Sequence, residues 1–167
     1  MSTQNRLYNY EKYIAFLMLC MVFILIALDN GIVRDSISNY VYMQHNQVYY
    51  GLLFTTSGMF MVNGAIWRKN YNILLGVLLA GVALTPHLQF PKLHNILAAS
   101  FFEISCIVMV FYSTQKQLWY KVAAAIFINV ALIGCVLFNW YTLLVAEFLG
   151  ILPITIHYLF ESKNKLS

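Results

Sequence analysis

The stretch from Thr85 to Glu103, TPHLQFPKLHNILAASFFE, connects the end of one long apolar run to the beginning of the next. It brings two histidines, two prolines, a lysine and a carboxylate together in one short stretch. A proline disfavours helical backbone at the residue before it, so the chain leaves one helix here and enters another. The stretch therefore predicts two consecutive apolar helices joined by a short polar connection.

The composition indicates that these helices lie in a membrane. The chain has 167 residues, of which 61% are hydrophobic and 10% are charged, and its mean hydropathy is +0.71. Ordinary soluble domains carry roughly 25% charged residues, and a water-soluble core cannot use so much apolar surface. We therefore expect an all-α, polytopic integral membrane protein with one domain.

Six apolar segments approach the length of roughly 20 residues that a membrane-spanning helix needs. They cover residues of about 13–29, 48–67, 71–87, 94–112, 119–138 and 141–160. This pattern predicts a six-transmembrane-helix bundle spanning residues 13–160, with both termini on one side of the membrane. Residues 1–12 and 161–167 are then expected to be short cytoplasmic segments.

The positions of the lysines and arginines predict the orientation. Arg34 and Lys92 fall on the side away from the termini. The other eight fall on the side of the termini: Arg6, Lys12, Arg68, Lys69, Lys116, Lys121, Lys163 and Lys165. Because such residues concentrate in cytoplasmic loops, this bias predicts that the N-terminus and the C-terminus are both cytoplasmic.

Polar side chains at similar depth mark the first candidate site. Counted at about 1.5 Å of rise per residue, Glu103, Glu147, Asn129 and Ser57 all lie about 10–15 Å below the outer ends of their segments. Intramembrane carboxylates are costly and are often functional. These four residues therefore predict either a hydrogen-bonded structural cluster or a polar cavity that serves as a proton site, an ion site or the floor of a lipid-headgroup cavity.

Histidines and an aspartate mark the second candidate site, at the outer mouth of the bundle. His87, His94 and Asp35 are side chains of the kind that bind zinc. The spacing of the two histidines matches no established zinc motif, so two interpretations stay open. Either these residues bind a metal ion, or His94 anchors the start of the fourth helix while His87 hydrogen-bonds the loop.

Two further features bear on helix packing. Gly76, Ala80, Ala99 and Gly150 are small residues that predict close contacts between helices. Residues 30–47 form the one connection long enough for structure of its own, and they predict a short helix or hairpin over the mouth of the bundle.

Several function classes are excluded by what the sequence lacks. Our reading places no lysine within a span, which argues against a retinal Schiff base, and His157 alone on the inner side cannot supply paired haem ligands. No phosphate-binding loop, nucleophile elbow or nucleic-acid-binding motif is present. The three cysteines lie in apolar runs and predict buried thiols. We therefore expect no cofactor other than a possible zinc ion.

Three segments resemble the bacterial DUF 998 family, which is related to the Frag/DRAM/Sfk-like six-span proteins. They are Asp35–Tyr42, Gly81–Pro86 and His94–Phe102. The resemblance implies a six-helix bundle in the bacterial inner membrane, with an outward histidine at the start of the fourth span. It also implies an association with the organisation of membrane lipids.

Together these observations favour a non-enzymatic protein that binds or organises lipid through an outward-facing polar cavity. A second hypothesis is a membrane-embedded, metal-dependent hydrolase or transferase acting on a lipid headgroup. A third is a small channel, proton-coupled carrier or oligomeric pore, including a toxic or defence effector. The expected partners are membrane lipids and further copies of the chain.

Overall fold

The computed structural model describes residues 9–113 and 117–164, and all of their regular structure is helical. The α-helices are α1 (Asn9–Leu28), α2 (Asn46–Trp67), α3 (Asn70–Leu84), α4 (Pro91–Ile107), α5 (Leu118–Val136) and α6 (Leu143–Asn164). A 3₁₀ helix, Ile37–Tyr42, lies between α1 and α2, and α4 continues as a π-helical turn over Val108–Tyr112. The all-α prediction is confirmed for these residues.

Local sequence explains where the helices begin and turn. Ser36 caps the 3₁₀ helix by accepting a hydrogen bond from the backbone N–H of Asn39 at 3.2 Å. Pro91 opens α4, where its missing N–H removes no helical hydrogen bond. Arg68 and Asn139 adopt left-handed backbone conformations, which reverse the chain direction between consecutive helices.

The α-helices pack in chain order around a closed ring. Each helix contacts the next one, and α6 also contacts α1. α2 and α3 pack closely at Gly76, where an added Cβ atom would lie 2.7 Å from the carbonyl oxygen of Ser57. Ser57 uses this proximity to donate a 2.7 Å hydrogen bond to the carbonyl oxygen of Gly76. Packing through Gly76 and Gly150 is as predicted, whereas Ala99 faces outward.

Four of the described helices are long and apolar enough to cross a membrane, which is compatible with a membrane protein. They are α1, α4 with its π-helical turn, α5 and α6. The second predicted span corresponds to α2, which carries too many polar residues to be counted among these four helices. The third corresponds to α3, which ends at Leu84 and is therefore shorter than predicted. The six-span topology and its orientation therefore stay predictions.

Candidate functional site

The loop between α1 and α2 is folded tightly on itself. Asp29 and Arg34 form an ion pair of 2.6 Å, and the hydroxyl of Tyr40 donates to the carbonyl oxygen of Ile32 at 3.1 Å. The hydroxyls of Ser36 and Ser38 are hydrogen-bonded to each other at 2.9 Å. These contacts hold the 3₁₀ helix as a defined element. We call Ile37–Tyr42 the loop helix.

The loop helix is fixed to the start of α6. The backbone N–H of Ile37 donates to Oε2 of Glu147 at 2.6 Å, and the backbone N–H of Leu144 donates to the carbonyl oxygen of Asp35 at 2.6 Å. Glu147 is buried, with 8% of its surface exposed. Its carboxyl group therefore serves as an anchor for the loop, a role that the sequence did not suggest.

A cavity of about 50 Å³ lies beneath the loop helix. We call it the central cavity. Its polar lining is confined to three side chains, from Ser38, Tyr49 and Glu147. The remaining lining is apolar and comes from α1, α2, α3, α4, α6 and the loop helix: Met18, Met21, Ile37, Leu53, Leu79, Val82, Ala98, Phe101, Phe102 and Ile151. The central cavity is therefore almost wholly apolar, and its three polar residues contribute little of its surface.

Tyr49, which lines the central cavity, carries a buried hydroxyl that is not hydrogen-bonded to the described residues. Its side chain is 1% exposed, and its hydroxyl has no hydrogen-bond partner within residues 9–113 and 117–164. A buried hydroxyl without a partner costs about 1–3 kcal/mol. A ligand or water molecule that hydrogen-bonds Tyr49 in the cavity would recover this free energy.

The predicted histidine site is brought together only in part. The His87 and His94 rings pack edge to face with their centroids 5.6 Å apart, and Nδ1 of His94 lies 2.7 Å from the carbonyl oxygen of Thr85. Asp35 instead lines a separate surface depression with Arg34. Within the described ranges, no three His, Cys, Asp or Glu side chains are grouped as metal ligands. The contact with Thr85 fits the interpretation in which His94 anchors the start of α4.

The structure does not bring the four predicted polar residues together in one hydrogen-bonded cluster, since their hydrogen bonds lead to different partners. Ser57 bonds Gly76, and Glu147 bonds the loop helix. Asn129 donates to the carbonyl oxygen of Ala125 at 3.0 Å, and Glu103 is exposed on the outer face of α4. Glu147 is the one member of the four that lines the central cavity.

A group of buried polar residues that the sequence did not predict lies near the start of α1 and the end of α6. The Asn72 amide donates to Oδ1 of Asn63 at 2.7 Å, and the Tyr158 hydroxyl donates to Oδ1 of Asn72 at 2.9 Å. The Asn63 amide reaches Oε1 of Glu11 at 3.5 Å. These hydrogen bonds connect α1, α2, α3 and α6 at a single level.

Lysine side chains balance the charge of this group. The ammonium group of Lys69 lies 3.5 Å from Glu11 and 3.6 Å from Glu161, and both carboxylates are buried. Lys121 is buried in the first turn of α5 and donates to the hydroxyl of Ser113 at 2.6 Å. The premise that no lysine lies within a span is therefore wrong. Because these groups have partners, the arrangement fits a structural role in joining the helices.

Comparison with known proteins shows the family to which the chain belongs. A family model described as "Family of unknown function (DUF7103)" matches residues 18–162. No curated protein and no solved structure matches the chain. The resemblance to the DUF 998 family is wrong, because the matching family is a different one and nothing links the chain to DUF 998 or to the Frag/DRAM/Sfk-like proteins. The segments that suggested it are short, and much of their length is hydrophobic.

Proposed function

We propose that this chain, which belongs to the DUF7103 family of unknown function, is a multi-pass membrane protein that binds a membrane lipid in the central cavity. Four helices of sufficient length and apolar character support the membrane assignment. The excess of Lys and Arg on the side of the termini supports an orientation with both termini in the cytoplasm. The loop helix then lies on the opposite side.

One observation carries the proposal of lipid binding, namely an almost wholly apolar central cavity that the polar residues Ser38, Tyr49 and Glu147 also line. Apolar side chains from five α-helices surround a space that Glu147 and Tyr49 also line, and the buried hydroxyl of Tyr49 has no partner among the described residues. Pockets that bind amphipathic molecules combine apolar walls with a few polar groups in this way. A lipid supplies both kinds of surface.

The size and charge of the cavity restrict how a lipid is held. A volume of about 50 Å³ is far below the several hundred Å³ of a pocket for a whole drug-sized molecule, so it takes one end of a lipid. Glu147 favours a group that donates hydrogen bonds, such as a hydroxyl or an amine, over a phosphate. The aromatic rings of Phe101 and Phe102 supply apolar contact for the adjoining carbons.

Native mass spectrometry of protein extracted from membranes in mild detergent tests the proposal. We expect wild-type protein to retain lipid. Tyr49→Phe removes the free hydroxyl and should retain less of it. Ala98→Phe places a ring in the cavity and should retain none. Tyr13→Phe makes the same chemical change as Tyr49→Phe on a side chain that is 55% exposed, and it should behave as wild type.

These variants distinguish lipid bound in the central cavity from lipid that associates nonspecifically with the protein in detergent. Circular dichroism first establishes that each variant keeps its helical content. Lipid retained equally by Tyr49→Phe, Ala98→Phe and Tyr13→Phe would contradict binding in the central cavity. A wild-type protein that retains no lipid would contradict the proposed function itself.

A further inference from the structure

Glu103 is placed where a single copy of the chain gives it no partner. It lies 12 residues after Pro91 and 9 before Tyr112, so it is at the middle of the apolar helix formed by α4 and its π-helical turn. Its side chain is exposed, and no hydrogen bond or ion pair joins it to another residue in ranges 9–113 and 117–164. It is the only charged side chain in those ranges exposed at the centre of a helix.

A carboxyl group in this position is costly if the surrounding medium is lipid. Ionisable side chains within membrane spans almost always face protein or water, because hydrocarbon offers no hydrogen bonds. This step rests on the proposal that α4 crosses a membrane. The exposed face of α4 around Glu103 is then a surface that another protein segment covers.

The neighbours of Glu103 on that face suit contact between helices. Asn95, Ala99 and Glu103 are exposed and four residues apart, so they line one side of α4 with a spacing of about 6 Å. A small residue between two polar ones lets helix backbones approach closely, and the polar groups then hydrogen-bond across the contact. Ala99, which is exposed and not packed against another helix of the described residues, lies at the centre of this face.

We propose that this face of α4 binds the same face of a second copy of the chain, forming a parallel, two-fold symmetric dimer. Two-fold symmetry places each residue opposite its own equivalent at the same depth. Asn95 suits this arrangement because its amide group both donates and accepts hydrogen bonds. Two Glu103 carboxyl groups that share a proton hydrogen-bond each other in the same way. The exposed face of α4 can thus pair with the same face of a second copy, and no basic residue of another protein is needed to neutralise Glu103.

Disulfide cross-linking in native membranes tests the contact. In a background with Cys20, Cys106 and Cys135 replaced by alanine, Ala99→Cys should form a cross-linked dimer on oxidation. Val77→Cys is the matched control, since it is exposed at the middle of α3, and it should remain monomeric. Equal cross-linking at the two positions, or cross-linking of Ala99→Cys to a different protein, would overturn the proposal.

Light scattering in detergent tests the role of Glu103. Glu103→Gln keeps a donor and an acceptor and should remain dimeric. Glu103→Leu should raise the dimer dissociation constant roughly threefold, since the one interhelical hydrogen bond made by the shared proton is lost. A wild-type monomer at all concentrations would overturn the dimer. Extraction by alkaline carbonate would instead contradict the membrane assignment, so the two failures are distinguishable.

Discussion

The backbone N–H of Ile37 donates a 2.6 Å hydrogen bond to the carboxyl group of Glu147, which lies 110 residues later in the chain. A second hydrogen bond, from Leu144 to Asp35, joins the same two elements. The loop helix thus keeps its place over the central cavity through contacts with α6. Any change that weakens these two bonds is expected to expose the cavity.

Glu147→Ala should release the loop helix. The substitution removes the acceptor and leaves the N–H of Ile37 buried without a partner, at a cost of about 1–3 kcal/mol. We expect amide hydrogen exchange in Ile37–Tyr42 to become roughly tenfold to a hundredfold faster, as measured by mass spectrometry. Glu147→Gln keeps an acceptor oxygen and should exchange nearly as slowly as wild type. Unchanged exchange in Glu147→Ala would show that the bond does not hold the loop.

Gly76→Ala should destabilise the contact between α2 and α3. A methyl group at this position would lie 2.7 Å from Cγ of Met61 and 2.7 Å from the carbonyl oxygen of Ser57, so the two backbones must separate. Overpacking of this kind costs about 1–3 kcal/mol, and a lower thermal midpoint in detergent would report it. Gly51→Ala is the control, because nothing lies within 4 Å of the added atom. It should leave the midpoint unchanged or raise it, since alanine favours helices.

Asn72→Leu should weaken the polar group that joins α1, α2, α3 and α6. Asn72 is buried, and its loss leaves both Asn63 and Tyr158 with an unused polar atom. We expect a loss of about 2–6 kcal/mol in the free energy of unfolding, from two buried groups at about 1–3 kcal/mol each. Tyr158→Phe leaves one such atom and should cost about half as much.

Asn70→Leu is the matched control for Asn72→Leu, because Asn70 belongs to the same turn of α3 and is exposed. Its unfolding free energy should stay within about 0.5 kcal/mol of the wild-type value. If Asn72→Leu changed the free energy of unfolding as little as Asn70→Leu, the hydrogen bonds of this polar group would not contribute to stability.

The contrast between Glu103 and Glu147 shows what the sequence could and could not predict. Runs of apolar residues located the helices to within a few residues, because length and hydropathy are properties of the sequence itself. Counting residues gave the two carboxyl groups similar depths. Depth does not fix how a helix is rotated about its axis, so the sequence could not tell that Glu147 points inward and Glu103 outward.

The buried group around Lys69 was missed for a related reason. Glu11 and Glu161 lie near helix ends, where acidic residues are ordinarily solvated, so the sequence gave them no role. Their burial depends on Lys69 lying within 3.6 Å of both carboxylates, and that requires residues from three distant parts of the chain to meet. Pairings of this kind appear only once the helices are packed.

The contact between His94 and Thr85 predicts which ring nitrogen of His94 carries the proton in the neutral side chain. A backbone carbonyl oxygen can only accept a hydrogen bond, so Nδ1, which lies 2.7 Å from it, must be the donor. Nε2 is then the nitrogen with a free lone pair, and it is the one atom of this ring able to bind a metal ion. We expect the ¹⁵N chemical shifts of labelled His94 to report the Nδ1–H tautomer. Added zinc should perturb Nε2 alone if the pair of His94 and His87 binds it, and leave both nitrogens unchanged if it does not. A neutral ring protonated at Nε2 would mean that the hydrogen bond to Thr85 is absent and that His94 does not anchor the start of α4.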